Sequence, residues 1–149
     1  VHRHDDAPRL RLQRGQVTVL LGPEGARDRV RSALDPRAAR CAGGHAVRGV
    51  LRVEPAPGEP AAARVAALDE ACRERVPVLL AVRPSAGLAA AERRDVLAAV
   101  RRVAATGAAV LLDDADPVAA LAVADAALRC GDDGSLAHDD LAVPALAAP

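Results

Sequence analysis

Apolar positions along the chain follow two rhythms that alternate. Val17 to Leu21, Val76 to Val82 and Ala108 to Leu112 are continuous aliphatic runs, as expected for strands covered on both faces. Between them apolar residues recur three and four apart: Val30 with Leu34; Val65, Leu68, Ala71 and Cys72; Val96, Leu97, Val100, Val103 and Ala104. That spacing gives each segment one helical face to bury. Breakers separate the segments at Gly22-Pro23, Asp35-Pro36, Pro55 to Pro60, Arg83 to Gly87 and Gly107. Leu10 and Leu12 alternate with Arg9 and Arg11 as an edge strand would, and Val47, Val50, Leu51 and Val53 form a second β-like passage after Gly43-Gly44. Asp116-Pro117 reads as an N-cap and first helical residue, so a helix is predicted to about Leu128, and Asp132-Asp133-Gly134 reads as a turn between two short strands. Strands alternating with helices call for a mostly parallel sheet with helices on both faces, an α/β fold of three layers. Residues 1–149 are expected to form a single domain, with 1–8 and 138–149 loosely ordered.

Composition changes this picture in two ways. The 149 residues are 51% hydrophobic but contain no aromatic residue and no Met, and no Ile, Lys or Asn occurs either, so the core is packed almost entirely from Ala, Val and Leu. Ala buries little area, which predicts modest stability and a partner. Most of the missing residue types share AT-rich codons, so the bias itself reflects a GC-rich coding sequence. With no Lys there is no phosphate-loop lysine or Schiff base, and with no aromatic ring nothing stacks on a base. Twenty acidic and twenty basic residues give zero formal charge, hence no global field toward nucleic acid or an anionic membrane. Cys41, Cys72 and Cys130 are widely spaced, as reduced thiols would be. The opening VHRHDDAPR has no apolar signal region, and the apolar run from Val118 to Ala124 is too short to span a bilayer.

The candidate site is QVTVLLGPEGARDR, strand then glycine turn then helix. Such a turn aims backbone N–H groups and a helix N-terminus at an anion. A phosphate loop needs G-x-x-x-x-G-K followed by Ser or Thr. From Gly22 the chain instead reads Gly22, Pro23, Glu24, Gly25, Ala26, Arg27, Asp28 and Arg29, with Arg27 for the second glycine, Asp28 for the lysine and Arg29 for the hydroxyl. A carboxylate about 4 Å from a phosphate charge costs about 4 kcal/mol at a surface-like dielectric, so Asp28 opposes a γ-phosphate.

The order of segments resembles the ATP-binding subunit of ABC transporters, in truncated and degenerate form. The glycine turn is similar to that family's phosphate loop, and Val82 to Ala89, VRPSAGLA, is similar to its Walker B strand and following D-loop. Arg64 to Leu68 is similar to the helix after the LSGGQ signature, Val110 to Leu128 to the switch-histidine strand and its helix, and Gly131 to Leu136 to the closing hairpin. The resemblance implies a P-loop NTPase fold whose helical subdomain is largely missing, with ATP and Mg²⁺ as cofactors and an ABC permease or intact ATPase homologue as partner. It also implies a cytoplasmic location, with membrane association through that partner and no direct insertion. Within the resemblance Val82 stands for the Mg²⁺-positioning Asp, Arg83 for the catalytic Glu, Ala89 for the D-loop Asp and Ala115 for the switch His, while Pro57 to Ala61 replaces the signature. The expected function is therefore an interaction or regulatory module without ATP hydrolysis, and no bound cofactor is expected. The alternatives are a nucleotide or phosphate binder without turnover, or a metal-dependent enzyme using Asp113, Asp114 and Asp116.

Other residues read as structural. His2, His4, Asp5 and Asp6 are of metal-ligand type on a polar terminus; Arg27, Arg29, Arg31, Arg37 and Arg40 read as a solvated helix face; Ser85, His138 and Asp139 lack the G-x-S-x-G turn of a hydrolase; His45 and Cys41 read as structural.

Overall fold

The computed structural model describes residues 10–34 and 49–141. Six strands form one sheet in the order β2-β3-β4-β1-β5-β6: β1 (Val17–Leu21), β2 (Val50–Val53), β3 (Val78–Val82), β4 (Ala109–Asp113), β5 (Ala126–Cys130) and β6 (Leu136–Asp140). The first five run parallel, and β6 turns back antiparallel on β5 through Asp132-Asp133-Gly134. Four helices connect them: α1 (Glu24–Leu34), α2 (Ala61–Glu74), α3 (Ala90–Ala105) and α4 (Pro117–Val123).

Strand alternation sends neighbouring side chains to opposite faces. Val17, Val19, Leu79, Ala81, Val110 and Leu112 point to the side where α2, α3 and α4 pack through Leu68, Val96, Val100, Val103 and Ala120. Leu20, Leu80, Val82, Leu111 and Leu128 point the other way, against Ala26, Val30 and Leu34 of α1. The three-layer α/β architecture expected from the two rhythms is the one observed.

Several boundaries differ from the expectation. The helix after Asp116 stops at Val123, and Ala126 begins a strand. Asp125 decides this: its N–H donates to the Val17 carbonyl at 2.8 Å, and its carboxylate accepts the Val17 N–H at 2.9 Å, starting the β1–β5 ladder. Nothing in an alanine-rich run foretells that pairing. Leu10 and Leu12 form no strand; they pack as partly buried residues on the α1 side. His138 to Asp140 belong to β6, held by pairing with β5, so the expectation of loose order does not hold for these three residues. The third apolar run lies one residue later than expected, which carries Asp113 into β4 with 1% exposure.

Candidate functional site

Helix α1 leaves the end of β1 on one face of the sheet, whereas α4 leaves the adjacent β4 on the other. Between two such strands a crevice opens at the carboxyl edge. Leu20, Leu21, Gly22, Glu24, Arg27, Arg83, Asp114, Ala115 and Pro117 line it, and it encloses about 500 Å³. The site expected from Gly22 to Arg29 thus borders this hollow, although most of that stretch is not a loop.

Only Gly22 and Pro23 separate β1 from α1. Gly22 has φ +133°, and a Cβ there would lie 2.3 Å from the Cys130 carbonyl oxygen, so side chains are excluded by conformation and by space. Pro23 has no N–H to offer, and its carbonyl already accepts the Arg27 N–H at 2.9 Å. Pro23 thus takes one backbone donor out of the turn, and the donors that remain are the first N–H groups of α1, which have no partner within the helix.

Side chains of α1 fill the space beside the turn. Arg27 donates through Nε to the Gly22 carbonyl at 2.9 Å, through Nη2 to Glu24 at 2.6 Å, and through Nη1 to Asp113. Arg31, one turn on, donates through Nη1 to the other Asp113 oxygen and through Nη2 to Glu24 at 2.8 Å and Asp28 at 3.1 Å. Burial alone would lower the Arg31 pKa, but its hydrogen bonds to Glu24, Asp113 and Asp28 raise it above the ordinary guanidinium value. The hydrogen bond from Arg31 in turn outweighs burial and holds the Glu24 carboxyl below its usual range.

This corrects the reading of the arginines as one solvated face: Arg31 is 7% exposed and pairs inward, while Arg29 stays outside and donates to the Asp132 carbonyl at 3.1 Å. Gly25 has open space around it and Ala26 packs in the core. Arg37 and Arg40 lie outside the described residues, as do Cys41, His45 and the terminal His2, His4, Asp5 and Asp6.

The three acidic residues at and just after the end of β4 are each in use. Asp113 takes both arginines; Asp114 accepts the Ser85 N–H at 2.9 Å, the Ser85 hydroxyl and the Asp116 N–H at 3.3 Å; Asp116 caps α4 through the Ala119 N–H at 3.1 Å and pairs with Arg93 at 3.2 Å. Among the described residues no group of three or more His, Cys, Asp or Glu is placed to hold a metal. Ser85 is bonded to Asp114, while His138 lies exposed on the edge strand beside Leu128, so no nucleophile triad forms.

Among solved structures the chain is similar to "Structure of ATP binding subunit of ABC transporter", with a TM-score of 0.63 and 14% identity over 90% of this chain and 82% of that one. It is also similar to a nucleotide-free ATP-binding cassette from an ABC transporter, with a TM-score of 0.60 and 12% identity over 88% and 83%. The chain shares the fold of ATP-binding cassettes. No family model and no curated protein sequence matches it.

Within this cassette-like fold, Val82 ends β3 buried at 2% exposure, and Arg83 follows with φ +49° and an exposed side chain at the crevice. Ala115 lines the crevice from the β4 side. Arg64, on the helix after Pro57 to Ala61, is 4% exposed and donates to the carbonyls of Glu59 at 2.8 Å, Pro84 at 3.0 Å and Ala86 at 2.8 Å. Sequence reasoning missed the buried roles of Arg31 and Arg64. The signal was their spacing: Arg27 and Arg31 lie four apart, and Arg64 lies four before the buried Leu68.

Cys72 and Cys130 are both free thiols, and burial pushes both pKa values up. The Cys130 thiol donates to the Leu21 carbonyl at 3.1 Å, a packing role beside Gly22. Among the described residues no helix is long and apolar enough to cross a membrane.

Proposed function

We propose that residues 1–149 act as one cassette-like domain that has lost ATP hydrolysis and serves as a non-catalytic interaction or regulatory module of a transport system. The observation that carries this reading is the closure of Arg27 and Arg31 on Asp113. Two guanidinium groups and a carboxylate satisfy one another where a triphosphate and its metal would need free donors and acceptors. Val82 and Arg83 supply neither a metal ligand nor a general base at the end of β3. The residues present therefore do not fit Mg²⁺-ATP.

The partner in this reading is an ABC permease or an intact ATPase homologue, met at the cytoplasmic side of the membrane. The test is phosphate release from Mg²⁺-ATP by the purified chain, expected at the protein-free background; steady release that survives repurification would overturn the reading. Co-purification with a permease or ATPase encoded beside it tests the partner.

A second reading, a nucleotide or phosphate binder without turnover, is favoured by the crevice of about 500 Å³ and by Arg83 in its lining. Thermal-shift titration with ATP and ADP separates the two, since only the binder is stabilised.

A further inference from the structure

Beside the crevice, on the far side of Arg83, lies a second hollow of about 260 Å³. It is lined by Glu54 to Gly58, Arg64, Arg83 and Ala86. Its electrostatics differ from those of the crevice. The crevice lining carries Arg27 and Arg83 against Glu24 and Asp114, so its charges balance. The second hollow has Arg64 and Arg83 against Glu54 alone, and Glu54 is already engaged by Arg52 at 2.9 Å.

Arg64 is nine-tenths buried, yet its guanidinium meets only carbonyl oxygens; among the described residues no carboxylate pairs with it or with Arg83. A buried cation is costly unless charge is supplied to it, and carbonyl dipoles supply only part. The Nη2 group of Arg64 has no hydrogen bond to the described protein, and α2 starts beside it with neither an acidic residue nor a side-chain cap in its first turn. The hollow is thus a positive pocket with donors to spare.

We propose that this pocket binds a phosphoryl group, free or on a small metabolite, through Arg64 and Arg83, and does so without a metal. The proposal goes beyond the reading of the crevice. It depends on residues of one chain and on an arginine standing where the family resemblance would put a carboxylate. Arginine suits the task because its planar fork matches two phosphate oxygens at once. With no aromatic ring in the chain, recognition rests on the charged group rather than on a stacked base.

The experiment is calorimetric titration of the full chain with inorganic phosphate and, separately, with glucose 6-phosphate, in the presence of a chelator. Binding of either at millimolar concentration is expected, and the tighter of the two identifies the source. Three variants locate it. Arg83→Ala and Ala56→Glu, the latter adding a carboxylate to the second hollow only, are each expected to weaken binding about tenfold or more. Ala115→Glu, which adds one to the crevice only, is expected to leave it within about twofold of the parent. Ala56 and Arg83 are exposed, so neither change threatens folding, and far-UV circular dichroism checks this.

No binding of either anion overturns the proposal. So does binding that Ala115→Glu abolishes and Ala56→Glu spares, which would assign the anion to the crevice. Neither outcome touches the ATP-turnover test, so the two readings fail separately.

Discussion

Two hollows share Arg83 at the carboxyl end of the sheet, and their charges are arranged in opposite ways. In the crevice between β1 and β4, Asp113 is enclosed by Arg27 and Arg31, and Glu24 closes the network from the surface. In the hollow beside β2 and β3, Arg64 reaches only carbonyls. The difference teaches where binding capacity resides. Charges that satisfy one another hold the fold together and offer little to a ligand, whereas a buried cation short of a counter-charge stabilises whatever anion arrives.

The largest test of this contrast removes the centre of the closed network. Asp113→Ala leaves two arginines facing a buried space without their carboxylate, and urea unfolding is expected to show a loss of about 3–5 kcal/mol. Next is Gly22→Ala, which forces a Cβ against the Cys130 carbonyl at a φ that suits only glycine; about 2–3 kcal/mol should be lost by the same measurement.

Ser85→Ala removes a hydroxyl donor from Asp114 but leaves the backbone donor in place, so about 1 kcal/mol is expected. Acid titration probes the closed side further. The Glu24 carboxyl is held low by its hydrogen bond to Arg31. Asp125 is held low because Arg101 and the Val17 N–H outweigh its burial. Folded pKa values below the unfolded ones mean that their contribution is complete above about pH 4–5 and is lost as pH falls through the folded values. Thermal unfolding in that window should show a shallower acid limb for Asp125→Asn than for the parent.

The smallest effect belongs to the open side. The Arg83 side chain has no hydrogen-bond or ion-pair partner among the described residues, so Arg83→Ala should change stability by less than about 0.5 kcal/mol while weakening phosphate binding. A loss as large as that of Asp113→Ala would erase the contrast.

Much of this molecule was legible from residue order. Aliphatic runs alternating with helical spacing dictate a layered α/β fold, because each kind of segment has only one way to hide its apolar side. Gly22-Pro23, the Asp116 cap with Pro117 and the Asp132-Asp133-Gly134 turn depend on local chemistry, and they appear where the sequence puts them. What the sequence alone could not settle were matters of distance across the fold. Whether Ala126 to Cys130 becomes helix or strand depends on Asp125 meeting Val17, 108 residues away. Whether Arg31 is solvated depends on β4 ending beside α1, and whether Arg64 is buried depends on the turn after β3 wrapping over it. An arginine reads the same in a sequence whether it faces water, a carboxylate or a row of carbonyls. Only the packed structure chooses among these partners, because the choice rests on long-range approach and on the cost of burying charge.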